Sequence, residues 1–304
     1  MKILITGITG YIGSHLASRL ARDGHQLRGF ARDPARVPAS IPAVQGDAVS
    51  GAGLTEALAG IEVAYFLIHS MESSLDGSFA VRERAAAERF AAAARAAGVR
   101  RIVYLGGPVP TGGPASAHLA SRLAVEQIML AAAPCSVALR ASIVIGARSR
   151  PFRFLVRLVE RLPVLAVPAW HARRTAPIDE RDVIELLSRA ATNEQVCGQS
   201  LDVAGPETVS YGELIDRIRD HMLIARPIIT LKRLTATPIA SRISALIAGE
   251  EHALIGPLME SLSTDLLPRD DRAARLFGVK LHPLDAAIER ALREWEATEP
   301  LAAR

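Results

Sequence analysis

Three glycines, Gly7, Gly10 and Gly13, fall within seven residues of one another in the stretch ILITGITGYIGSHLASRL. An apolar run precedes them and apolar residues at helical spacing follow, which is the strand–turn–helix context of a phosphate-binding turn. Gly7 permits the tight turn, Gly10 lets the backbone approach a pyrophosphate, and Gly13 allows close helix packing, while the helix N-terminus stabilises the phosphate charge. The residues expected to hold a dinucleotide there are Gly7, Thr9, Gly10, Tyr11, Ile12 and Gly13. A carboxylate about 20 residues further on would accept hydrogen bonds from the ribose hydroxyls of NAD. This chain instead reads GFARDPAR, with Arg32 at the end of the second strand and Arg36 a turn later. A cation at that place matches a 2′-phosphate and favours NADP(H) over NAD(H). Asp33 is the counter-argument, because it could reach a ribose.

The elements that must position these residues alternate along the chain. Met1–Thr6, His25–Ala31, Val63–Ile68 and Arg101–Leu105 read as strands, Ser14–Asp23 as a helix ended by Gly24, and Phe79–Ala97 as a long Ala-rich helix ended by Gly98. Continuous apolar strands alternating with helices predict a doubly wound parallel α/β sheet covered on both faces. Beyond Gly146 the pattern loosens into a helix with a Pro-flanked extended piece (155–170), a strand running into a helix (174–192), a strand, turn and helix with Ser210 as N-cap (198–218), and an amphipathic helix (283–297). The expected organisation is a dinucleotide-binding core over 1–150, with further core elements from about 174–204, and a smaller, mainly helical lobe within 151–304.

The 304 residues are 49% hydrophobic and 22% charged, which excludes disordered and fibrous classes. The net charge is +4, but of 36 basic residues three are lysines and the arginines are dispersed, without a block of like charges that would favour nucleic acid. Cys135 and Cys197, 62 positions apart and outside any CxxC or Cys/His cluster, suggest neither a disulfide framework nor a metal site, so the expectation is a reduced, cytoplasmic setting. No run of about 18 uncharged apolar residues predicts a membrane span, and the N-terminus does not read as a signal peptide.

The spacing GxxGxxG, together with VAYFLIHSM, RIVYLGG, LRASIVIG and PRDDRAARLFGV, resembles the short-chain dehydrogenase/reductase superfamily in its extended and atypical branches, near the NmrA-like and sugar-nucleotide epimerase groups. The resemblance runs from about residue 1 to 295. It implies an adenine contact at Asp47 and Ala48, cofactor contacts at His69 and Ser70 after the fourth strand, and nicotinamide-flanking residues from Ser142 and Ile143. The family's Ser at the end of the fifth strand is replaced here by Gly106 and Gly107. Its helix pattern Tyr-xx-Ser-Lys-xxx-Glu lines up with HLASRLAVE, which puts His118 for Tyr, keeps Ser121, puts Arg122 for Lys, and keeps Glu126.

His118 and Arg122 are four apart on one helical face, so both can point at a cofactor. Arg122 can hold ribose hydroxyls but cannot lose its proton, and it disfavours a charged His118 nearby. The catalytic set implied is therefore His118, Arg122 and Ser121. Asp182 reads as a structural charge at a helix start. Trp170, His171 and the apolar stretch 230–262 are candidates for a substrate mouth or, for the stretch, a dimer face or membrane contact. The function expected is an NADP(H)-dependent reductase of a small hydrophobic carbonyl or enone. A non-catalytic NADP(H) redox sensor and a nucleotide-sugar epimerase or dehydratase remain open. The partners expected are a small molecule and, in a homodimer, a second copy, not nucleic acid.

Overall fold

The apolar runs form strands buried on both sides, and neighbouring residues part to opposite faces: Ile3 and Ile5 join one core, Leu4 the other. In the computed structural model, residues 1–68, 79–110, 116–161, 165–167, 169–224, 228–230, 264–299 and 301 are described. The main sheet comprises β1 (Lys2–Thr6), β2 (Gln26–Ala31), β3 (Ala43–Gln45), β4 (Val63–Phe66), β5 (Arg101–Gly106), β6 (Val137–Ala141) and β7 (Ser200–Val203). Every pairing in it is parallel, in the order β7-β6-β5-β4-β1-β2-β3. The order reverses between β1 and β4, and ligands of open α/β sheets bind beyond the carboxyl ends of the strands at such a point.

Helices cover both faces. On one side α1 (Tyr11–Arg22), α6 (Glu180–Ala190) and α8 (Arg272–Phe277) pack on the strands, and on the other α2 (Leu54–Leu58), α3 (Phe79–Ala96) and α4 (Ala117–Leu130). A third core joins α5 (Arg150–Arg161), α7 (Tyr211–His221) and α9 (Leu284–Glu296). Its centre is Trp295, fully buried, with the Arg153 and Arg157 guanidiniums 4.2 and 4.8 Å from its ring centroid. The α7 N-cap is Ser210, whose hydroxyl accepts from Glu213 N at 3.0 Å.

Two expectations are corrected. Helix α1 begins at Tyr11 rather than Ser14, because Gly10 is its N-cap and Gly13 lies inside its first turn. Cys135 and Cys197 are joined as a disulfide with Cα atoms 4.4 Å apart. Their sequence separation concealed this. The loops entering the parallel neighbours β6 and β7 lie side by side, and Gly198 N donates to Ser136 O at 2.7 Å.

Glu126, retained from the family pattern, serves the fold. It accepts from Arg140 Nε and Nη2 at 2.8 and 2.6 Å and from Ser200 Oγ at 2.6 Å, tying α4 to β6 and β7 inside the protein. Removing one partner of a buried ion pair leaves an uncompensated charge. Glu126→Ala should therefore lower the unfolding free energy by about 3 kcal/mol in urea titrations, whereas a loss below 1 kcal/mol would contradict that role.

Candidate active site

The glycine turn is shaped by backbone contacts that exclude side chains. Gly7 has φ +71°, and a Cβ there would lie 2.8 Å from Leu67 O. At Gly13 a Cβ would overlap the Gly7 carbonyl, so helix and turn touch backbone to backbone. Thr6 holds the neighbouring chain: its hydroxyl donates to Tyr65 O at 2.9 Å and accepts from Leu67 N at 3.3 Å. No side chain caps α1, and no acidic residue occupies its first turn. The first amides of a helix lack intrahelical acceptors and carry the positive end of its dipole. An exposed Gly10 beside the backbone of Thr9, Tyr11, Ile12 and Gly13 therefore fits a pyrophosphate.

Sequence reasoning missed what supports this turn from behind. The Tyr11 hydroxyl donates to Glu180 Oε2 at 2.6 Å, and His15 Nδ1 meets the other carboxylate oxygen. Burial pushes the Glu180 carboxyl up, but the bonds from His15 and Tyr11 hold it below the usual carboxylate range. The same bond to Glu180 raises His15 against the opposing effect of burial. A side chain on Gly146 would overlap this pair. Neither the spacing of 169 residues nor any local motif signals it.

On the adenosine side, Arg32 and Arg36 are exposed at and beyond the end of β2. Asp33 caps the 3-10 turn Pro34–Arg36, its Oδ1 accepting from Ala35 N at 3.1 Å, so one of its oxygens is engaged locally. Asp47 likewise closes its own turn, with Oδ1 accepting from Val49 N at 2.9 Å, and Ala48 is buried. His69, Ser70, the side chain of Trp170 and residues 231–262 of the apolar stretch lie outside the described residues.

At the start of α4, Ser116 is the N-cap and His118 stands in the first turn, half-buried, its ring centroid 5.5 Å from that of Phe79. Burial and then the nearby Arg122 push the His118 imidazole down to about 4, so it is neutral near pH 7. Arg122 is buried and donates from Nη2 to Leu105 O at 2.7 Å, with its guanidinium 5.8 Å from the Tyr104 ring centroid. That contact fixes it at the carboxyl end of β5. Tyr104 itself faces the core, its hydroxyl donating to Arg122 O at 3.2 Å.

Ser121, expected in the catalytic set, is engaged within the fold. Its buried hydroxyl donates to Glu83 Oε2 on α3 at 2.6 Å, because it projects from another side of α4 than its neighbour Arg122. At Gly106 a Cβ would press on the Tyr104 ring at 3.0 Å, and at Gly107 on Leu119 at 3.1 Å. Ser142 is buried, sharing a 3.1 Å hydrogen bond with Thr175 Oγ1, while Ile143 is half-buried against the third core. Asp182 accepts from His282 N and Nδ1 at 2.8 and 2.6 Å, and Asp179 rather than Asp182 caps α6.

Residues 7–139 match the NAD(P)H-binding family model. Over 225 residues the chain is 31% identical to a (4-alkanoyl-5-oxo-2,5-dihydrofuran-3-yl)methyl phosphate reductase of Streptomyces griseus, covering 69% of this chain and 70% of that protein. It is 33% identical over 181 residues to a ceramide reductase of Caulobacter vibrioides, covering 56% and 55%. A shorter match to a 3-beta-hydroxysteroid dehydrogenase of Mycolicibacterium neoaurum, 30% identical over 34% of this chain, spans about a third (31%) of that relative's length. The UDP-glucuronic acid 4-epimerase of Bacillus cereus, solved with UDP-glucuronic acid and NAD, superposes with a TM-score of 0.73 at 16% identity over 98% of this chain and 100% of that one.

The fold and the turn thus define an NAD(P)-binding protein of the Rossmann type. The chain belongs to the NAD(P)H-binding family that includes the Streptomyces griseus reductase.

A histidine whose folded-state value lies near 4 binds fewer protons when folded than when unfolded at any pH between that value and its ordinary 6.5. Stability should therefore fall as pH drops through this window, with His118 contributing on the order of 3 kcal/mol of the loss. Paired urea titrations of wild type and His118→Gln between pH 7.5 and 4.5 isolate it, since His15 contributes with the opposite sign in both. Equal slopes for the two proteins would refute the assignment.

Proposed function

We propose that the chain is an NADP(H)-dependent reductase of the atypical short-chain type, acting on a small hydrophobic carbonyl or enone held between the dinucleotide core and a lobe drawn mainly from 151–304. The observation that carries this reading is the pair on α4: a neutral His118 one turn from an Arg122 fixed to the end of β5. The nicotinamide, when bound, supplies the hydride. The turn amides and Gly7, Gly10 and Gly13 hold its pyrophosphate, and Arg32, with Arg36 beyond it, meets the 2′-phosphate. Arg122 holds ribose hydroxyls and biases the local field toward negative charge.

His118 then acts as a neutral donor. With its imidazole held near 4, the N–H gives a hydrogen bond to the substrate oxygen and polarises it, as a fixed dipole aimed at developing charge. The final proton comes from solvent. Two relatives named as reductases support reductive chemistry. The partners proposed are this substrate and, as a homodimer, a second copy of the chain. The setting proposed is the cytoplasm.

One specific observation favours the sensor reading: His and Arg replace Tyr and Lys, and Ser121 is committed to Glu83. Titration with NADPH, NADP, NADH and NAD addresses both readings. Arg32→Ala should weaken NADP(H) about 10- to 100-fold and leave NAD(H) nearly unchanged, as loss of a charge-assisted contact requires. His118→Ala should lower kcat about 100-fold or more with cofactor affinity retained. Unchanged turnover of every accepted substrate removes the catalytic role, and NADP(H) binding without turnover on a broad carbonyl and enone panel establishes the sensor.

A further inference from the structure

The Cys135–Cys197 disulfide lies before β6 and β7, at the amino ends of the strands and so at the opposite end from the glycine turn, and the reaction above does not use it. Its two sulfurs differ in access: Cys135 is buried and Cys197 is partly exposed. Beneath them is Arg101, the first residue of β5, whose side chain is fully buried. Its Nη1 donates to Ala190 O at 2.7 Å, and its Nη2 stands 2.9 Å from Cys135 Sγ, 3.6 Å from Cys197 Sγ and 3.0 Å from Glu194 Oε1. Among the described residues its Nε has no hydrogen-bond partner. Glu194 is exposed and is shared with Arg100 at 2.8 Å.

A buried guanidinium is costly unless a negative group faces it. A disulfide is uncharged, and the one carboxylate at hand is exposed and divided between two arginines. A thiolate on Cys135 would supply the missing charge. We propose that Cys135 and Cys197 form a reversible thiol–disulfide site for a dithiol reductant, with Cys197 the sulfur attacked and Cys135 the leaving group.

In the first step a reductant thiolate attacks Cys197 Sγ, the S–S bond breaks, and the electron pair leaves on Cys135 Sγ beside Arg101. The reductant's second thiolate then attacks the mixed disulfide, forms its own internal disulfide and releases Cys197. Two electrons and, once both sulfurs are protonated, two protons have passed to the protein. A better-stabilised leaving thiolate departs faster, and a neighbouring guanidinium supplies that stabilisation.

Cys135, Glu194 and Cys197 also place their ligand atoms within 4.8 Å of one another, a spacing a metal ion could bridge once the cysteines are reduced. The Nη2 group against Cys135 Sγ puts a positive charge on the side such an ion would occupy, which opposes it.

The test uses the full chain purified without reductant. Thiol titration in denaturant should find none before dithiothreitol and two after. A brief pulse of reduced glutathione, followed at once by iodoacetamide and peptide mass spectrometry, should leave glutathione on Cys197 and carbamidomethyl on Cys135, about tenfold over the reverse pattern. Arg101→Met should slow reduction by dithiothreitol about tenfold, with Arg101→Lys keeping most of the rate. The labelling pattern in wild type decides the order of attack even where Arg101→Met fails to fold. Free thiols in the air-oxidised protein, an equal or reversed pattern, or one equivalent of zinc bound by the reduced protein and released by a thiol reagent would each overturn the proposal.

Discussion

The close approach of the Gly13 helix turn to the Gly7 carbonyl is the constraint on which the site depends. With no side chain between them, α1 starts directly beneath the carboxyl end of β1, and its unpaired first-turn amides open on the crevice where strand order reverses. A methyl group at Gly13 would separate turn from helix, and one at Gly7 would press on the chain that leaves β4. The anion site would then lose its alignment with the sheet before any charge was altered, because the positive end of the helix falls off within one turn.

That turn is also anchored to the C-terminal half of the chain. Glu180, at the start of α6, receives Tyr11 and His15 from α1, and Arg290 from α9 reaches Asp179 and Glu180 at 3.4 and 3.5 Å. Three helices therefore converge on one buried carboxylate. Desolvation makes that charge costly alone, so each partner's position is set by the others. The third core, around Trp295, is thereby tied to the phosphate turn through polar contacts.

The doubly wound sheet was legible because its strands are continuous apolar runs and its helices end at glycines such as Gly24 and Gly98; both are periodic, local signals. The glycine turn was legible for the same reason. Ser121 was not, since a motif position says which residue aligns but not which side of a helix its hydroxyl takes once α3 supplies Glu83. The cysteine pair and the Tyr11–Glu180 bond were illegible because both follow from strand order and helix docking, which bring together residues 62 and 169 positions apart.

The proposed pairing of His118 with Arg122 rests on the electrostatics of the helix start. Burial lowers the proton affinity of His118 and the neighbouring Arg122 lowers it further, so the imidazole is no proton donor near pH 7. What such a pair retains is the ability to stabilise negative charge on an oxygen without transferring a proton. Under the reading proposed above, this suits the delocalised oxyanion that hydride addition to an enone generates better than the alkoxide of a simple ketone, which needs its proton at once.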